Sequence, residues 1–211
     1  MKAAQAQLAK IPKEQKDQQE PVKEKINQAG GTAVTELSAA LGLMKPEDNN
    51  RPIVLSRLGE AYESMNKWQE ASDTYQKSIA LKPDDAKLYS DYGRALAENG
   101  KAAEARAKTK RAAELDPSKA GATYYNLGAA LVNNNRGDDA IAAFRDSIAA
   151  DPNYANSYYQ YGTALVAKAT SGPGGKLIAP PGMREALQKY LQLAPTGPFS
   201  DQAKQLLQAF Q

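Results

Sequence analysis

The sequence contains no cysteine and no histidine. Their absence removes a disulfide framework, a thiolate nucleophile, a Cys/His zinc site and an imidazole base. No charge of one sign dominates either: 27 basic residues stand against 24 acidic ones, thoroughly mixed, for a net +3. That balance carries no electrostatic footprint of a nucleic-acid binder. No apolar run is long enough to cross a bilayer. Met1–Lys10 lacks the apolar core of a secretory leader, so an exported form would need a leader upstream of these residues.

What is present is a repeat. Leu58-Gly59, Tyr92-Gly93, Leu127-Gly128 and Tyr161-Gly162 place glycines 34, 35 and 34 residues apart. Twelve residues after the first three glycines come Ala71, Ala105 and Ala140, and twelve further on come Pro83, Pro117 and Pro152. Such a frame suits two antiparallel helices packed tightly, the glycine on the first and the alanine on the second, where a larger side chain would overpack. Asn66, Gly100 and Asn135 share one repeat position between the helices and tolerate the left-handed backbone of a helix C-terminus. The proline cannot continue the second helix, and Asp84, Ser118 or Asn153 after it is expected to cap the next one.

Apolar spacing agrees with this reading. Leu55, Leu58 and Tyr62 form one helical stripe, answered by Ala71, Tyr75 and Ile79, and Tyr124, Leu127, Leu131, Ala140, Phe144 and Ile148 repeat the pattern. Each unit keeps apolar groups that only a neighbouring unit can bury.

The residues Leu58-Gly59, Tyr62, Ala71, Tyr75, Ile79 and Pro83, with two further units like them, resemble the tetratricopeptide repeat. The resemblance implies an all-α fold, a right-handed α-α superhelix of about four helix pairs. Units are placed at 52–85, 86–119, 121–154 and 155–197. Residues 1–50 are read as an N-terminal helical extension and degenerate cap, and 198–211 as a C-terminal capping helix.

The fourth unit departs from the pattern. Its second helix aligns Leu187–Pro195 with Tyr75–Pro83, which makes Gly162 to Met183 a spacing of 21 residues, nine more than usual. The Gly- and Pro-rich stretch near 170–182 is expected to protrude as a loop with a short extended piece at Lys176–Ala179. It does not match a phosphate-binding Walker loop, because Lys176 precedes Leu177 and no strand comes before it. Plain connection and partner contact both stay open for it. At the other end, Val34, Leu37, Leu41 and Met44 suggest a degenerate second helix, while Pro12 and Pro21 are expected to interrupt residues 1–29. After Pro198, Ala203, Leu206, Leu207 and Phe210 should face inward, and Asp201, Lys204 and Gln208 outward.

By the resemblance, the first helices line a concave groove through the second, fifth, ninth, twelfth and thirteenth positions of each unit. The candidate partner-binding residues are Lys87, Arg94, Tyr125, Asn133, Asn156 and Tyr159, beside Ser56, Glu60, Ser90, Ala129 and Thr163. Because Tyr124 and Tyr158 fill the usual aromatic site, Tyr125 and Tyr159 are expected to face outward, either as peptide anchors or packed along the groove wall. The clamp that some family members use for a peptide's terminal carboxylate is not met, since Ser56-Arg57 and Ser90-Asp91 stand at its positions. The paired acids Asp84-Asp85 and Asp138-Asp139 fall in turns, without a partner acid in a pocket as glycosidase chemistry requires.

The functional expectation is therefore a non-catalytic scaffold with no cofactor and no metal. It binds a protein or peptide segment in the groove and spans no membrane. The alternative is a structural module that self-associates through its ends or its loop, as part of a larger envelope-associated protein. The Ala-, Gln- and Tyr-rich units look bacterial, and location stays open between the cytoplasm and the cell envelope or periplasm.

Overall fold

The computed structural model describes residues 2–12, 15–175 and 177–210. Two helices come first, α1 (Lys2–Leu8) and α2 (Lys16–Leu43). Four helix pairs follow: α3 (Arg51–Ser64) with α4 (Trp68–Leu81), α5 (Ala86–Glu98) with α6 (Ala102–Leu115), α7 (Ala120–Asn133) with α8 (Gly137–Ala150), and α9 (Ala155–Val166) with α10 (Met183–Leu193). Helix α11 (Ser200–Ala209) comes last. Each second helix packs on its own partner and on the first helix of the next pair, so the stack runs in chain order. The result is an all-α helical-repeat solenoid.

The repeat glycines set how closely each pair approaches. A Cβ added at Gly59 would lie 2.7 Å from the Tyr75 ring, and at Gly128 it would lie 2.5 Å from Phe144. At Gly93 it would meet Thr109 at 2.6 Å, and at Gly162 it would meet Leu187 at 2.9 Å. Tyr75, Phe144 and Leu187 are fully buried. The fourth pair therefore keeps the same contact although its partner residue stands nine places further along the chain.

Asn66, Gly100 and Asn135 all take positive φ, at 56°, 79° and 56°. The amides of Lys67, Lys101 and Arg136 after them donate to the carbonyls of Tyr62, Leu96 and Leu131 at 2.8–3.0 Å. This is the left-handed closure that satisfies the last carbonyls of a helix. The second helices end two residues before Pro83, Pro117 and Pro152, as the steric demand of proline on its predecessor requires. The capping expectation needs correction. Helix α5 is capped by Asp85, which accepts from the Leu88 amide at 3.2 Å. In the later turns Ser118 donates to Asp116, and the Asn153 amide donates to Asp151. Helices α7 and α9 carry no side-chain cap, because the chain makes a further turn after each proline before the helix begins.

Two buried serines add a tie that apolar patterning hides. Ser78 Oγ donates to the Pro52 carbonyl at 2.8 Å, and Ser147 Oγ donates to the Gly121 carbonyl at 2.6 Å while lying 2.6 Å from Ser157 Oγ. Ser147→Ala should cost about 1–3 kcal/mol, the desolvation of a stranded acceptor, seen as a lower urea midpoint at unchanged slope.

The N-terminal segment differs from expectation. Pro21 does not break the chain but lies inside α2. It sits in the second turn, where it forfeits one backbone bond near an end that is already short of partners. Val22 and Ile26 are buried, and a Cβ at Gly30 would lie 2.6 Å from Met65, so α2 lies close against the end of α3. Arg51 Nη1 bonds the Leu41 and Met44 carbonyls, both at 3.1 Å, placing a cation at the C-terminus of α2. Between α9 and α10 the inserted stretch forms a small antiparallel hairpin, β1 (Thr170–Ser171) with β2 (Leu177–Ile178). Of the extended piece expected at 176–179, Lys176 lies outside the described residues. In α11 and at Phe210 just after it, Ala203 and Phe210 are buried, Leu206 and Leu207 half-buried, and Asp201, Lys204 and Gln208 exposed, while Gln211 lies outside the described residues.

Candidate functional site

The first helices of successive pairs are joined side by side through polar groups on one face of the stack. Between α3 and α5, Lys87 Nζ lies 2.8 Å from Glu60 and Arg94 Nη2 lies 2.6 Å from Glu63. Between α5 and α7, Asn133 and Asn134 donate to Glu98 at 3.2 and 2.9 Å. The second helices bond separately, as with Arg106 and Asp146 across α6 and α8 at 2.6 Å.

The face of the first helices changes character along its length. At the α3–α5 end it is charged. Lys87 bridges Glu60 and Asp91, the latter at 2.6 Å, and Arg94 reaches Asp91 at 3.8 Å as well as Glu63. Lys87 loses solvation there, but Asp91 and Glu60 outweigh that loss and raise its pKa. Glu63 is only 8% exposed. Burial pushes its carboxyl up to about 7, against the pull of Arg94. Its Oε1 and the hydroxyl of Tyr75 are both buried and lie near each other, short of a well-formed hydrogen bond and with no other partner among the described residues. Burial first, and then the nearby Glu63, also raise the Tyr75 pKa.

At the α7–α9 end the same face carries no charged side chain at the corresponding positions, namely Ala122, Tyr125, Ala129, Val132, Asn156, Tyr159 and Thr163. Val132 is exposed and Ala129 half-buried. The two tyrosines do not stand clear of the helices as expected. The Tyr125 ring leans on Tyr154 at 5.3 Å and Phe144 at 5.9 Å. Tyr159 stacks on Phe199 at 4.4 Å, with Tyr190 at 5.4 Å. Both rings are half-buried, because the turn into the next helix brings an aromatic partner over each. The six candidate residues therefore do not share one setting. Lys87 and Arg94 join one ion network, Asn133 binds Glu98, and Tyr125 and Tyr159 pack into separate aromatic groups, while Asn156 is half-buried nearby.

Glu63, Asp91 and Trp68, outside the candidates that the sequence offers, come together in the lining of the charged end. Glu63 stands at a groove position of its unit, and Trp68 is the chain's single tryptophan. Both facts were available signals. Their meeting was not, because it depends on how adjacent repeats rotate against each other.

Family models described as TPR repeat and tetratricopeptide repeat match residues 59–100 and 122–168. The chain carries tetratricopeptide repeats over these residues. Solved structures of the same fold include YrrB, described as a TPR protein with an unusual peptide-binding site, at 20% identity and TM-score 0.55 over 88% of this chain and 89% of that one. A MamA structure is similar at 21% identity and TM-score 0.56, covering 83% and 91% of the two chains. MamA from Desulfovibrio magneticus RS-1, residues 41 to the end, is similar at 18% identity and TM-score 0.55, covering 84% and 96%. At these identities the likeness concerns the fold. No curated protein matches the sequence significantly. Among the described residues no helix of this tetratricopeptide-repeat chain is long and apolar enough to cross a membrane.

Proposed function

We propose that the chain is a non-catalytic interaction scaffold that holds a peptide or protein segment along the face of α3, α5, α7 and α9. The observation that supports this most is the uneven chemistry of that face. A network of paired charges at one end gives way to an uncharged strip of alanine, valine, amide and tyrosine at the other. A guest segment gains apolar contact on the strip and charge complementarity at the end, and the two together fix its direction. Tyr125 and Tyr159, held by their aromatic partners, present rigid edges that lose little entropy when a guest arrives. Asn133 and Asn156 supply amide donors and acceptors.

Because Tyr125 and Tyr159 also pack the stack, truncating them confounds binding with stability. Ala129→Arg is the cleaner test. A half-buried alanine on the uncharged strip becomes a long side chain whose charged tip reaches water while its stem fills the groove. Peptides selected from a phage-displayed library against the native chain should bind this variant at least about tenfold more weakly, with an unchanged melting curve. Undiminished binding overturns the groove reading.

Self-assembly through the hairpin is the second reading, favoured by the exposure of Leu177 and Ile178, 44% and 50%. Light scattering that shows concentration-dependent mass, lost on deleting residues 172–175, would select it.

A further inference from the structure

A cavity of about 670 Å³ opens at the charged end of the face, between α1 and α2 on one side and α3 and α5 on the other. Its apolar wall includes Leu8, Ile26 and Trp68, and its polar wall includes Glu60, Glu63 and Asp91 with Lys87 and Arg94. The cations are already engaged: Lys87 lies between Glu60 and Asp91, and Arg94 between Glu63 and Asp91. Lys23, also on the wall, is held on Glu20 at 2.8 Å. Around the ion network three carboxylates thus share two cations. With Glu63 ionised, one negative charge is left over, and Glu63, more than nine-tenths buried, has an oxygen that meets no donor but the nearby Tyr75 hydroxyl among the described residues.

We propose that this cavity is a subsite for a cationic side chain, an arginine or lysine of the segment lying in the groove, accepted by Glu63, Glu60 and Asp91 with its aliphatic stem against Ile26 and its charged head beside the Trp68 indole. The shape fits that class of guest. The walls offer apolar surface for a methylene stem and acceptors for its tip, and an indole adds cation–π attraction. An acidic guest finds no such balance, because each basic group it would meet already has two carboxylate neighbours or, for Lys23, one at the rim.

The subsite also makes guest binding depend on pH. Glu63 faces Glu60 from its own helix, Tyr75 from α4, Lys87, Asp91 and Arg94 from α5, and Lys23 of α2 across the cavity. In the empty cavity its carboxyl titrates at about 7. A cation favours the ionised form, so binding expels a proton below that pH and strengthens as pH rises through it.

The proposal rests on the groove reading, yet the two fail separately. The probe is Nα-acetyl-arginine methylamide, titrated into the full chain and followed by the emission of Trp68, the single tryptophan. The expected result is a saturable response to the arginine probe, at least about tenfold stronger than to its neutral citrulline isostere. Glu63→Gln should weaken the arginine probe by about tenfold and abolish its pH dependence. Glu60→Gln, at a more exposed position, should weaken it less and serves as the second variant. No saturable response to the arginine probe, an equal response to citrulline, a stronger response to the matching glutamate probe, or indifference to both substitutions overturns the subsite. Selected peptides that are blocked by Ala129→Arg but indifferent to Glu63→Gln would retire the subsite and leave the groove standing. Indifference to both would retire the groove as well.

Discussion

Phe144→Ala is expected to lower the unfolding free energy by about 3–5 kcal/mol, read as a fall in the urea midpoint. The ring is fully buried in the core that runs from α4 to α8. It fills the space that Gly128 leaves on the facing helix, so closely that a Cβ there would come within 2.5 Å of it. Removing the ring takes away its own burial and opens a void that Tyr125, whose ring lies 5.9 Å away, fills only in part. The companion experiment separates contact from composition. Gly128→Ala alone should destabilise by about 1–3 kcal/mol through overpacking. In the double variant the added methyl enters the vacated space, so the two losses should sum to less than additive. Strict additivity would mean that the glycine is not there to admit the ring.

Glu63→Gln should stabilise the chain at alkaline pH, by about 1–3 kcal/mol, and flatten the pH dependence of its stability. The sign follows from linkage. The Glu63 carboxyl has an ordinary value of 4.5 and titrates at about 7 in the folded chain. Between those values the folded state holds a proton that the unfolded state has lost. The contribution is therefore complete below pH 4.5 and disappears as pH rises through 7, a change of about 3 kcal/mol for this one group. Glutamine keeps the shape, accepts from Arg94 and carries no charge to desolvate. Chemical denaturation at about pH 5 and pH 8 measures the difference. A variant less stable than the native chain at pH 8, with the native slope retained, would show that the 2.6 Å pair with Arg94 outweighs burial. If the stabilisation is found together with weakened cation binding, the native carboxylate is retained at the expense of the fold, a pattern common at binding sites.

The architecture was legible in the sequence because it is periodic. Glycine, alanine and proline recur at fixed spacing, and Asn66, Gly100 and Asn135 adopt the left-handed backbone that their residue types suggested. Even the split last pair could be aligned, since Leu187 meets Gly162 as Phe144 meets Gly128. Legibility ended where a residue's fate depends on a neighbouring repeat. Arg94 binds a carboxylate 31 residues upstream, and no local pattern marks that choice. From the sequence, Tyr125 and Tyr159 are expected to face outward because their neighbours fill the aromatic site. The partners that cover them, Tyr154 and Phe199, come from turns whose path the repeat frame does not fix. Pro21 reads as an interruption, yet α2 runs through it at the cost of one backbone bond in its second turn. The candidate groove could be located in this way, but not its internal charge pairing.

The hairpin between α9 and α10 has a bearing on how freely this architecture can vary. Gly162 and Leu187 meet across 25 positions, where the other pairs close across 16. Surface matching, and not tether length, therefore holds the last pair in place. Lengthening such a link carries only a small entropic penalty. A stack of this kind can acquire a protruding appendage at one junction while its remaining modules keep their register, which turns a joint of the scaffold into a mounting point for new recognition elements.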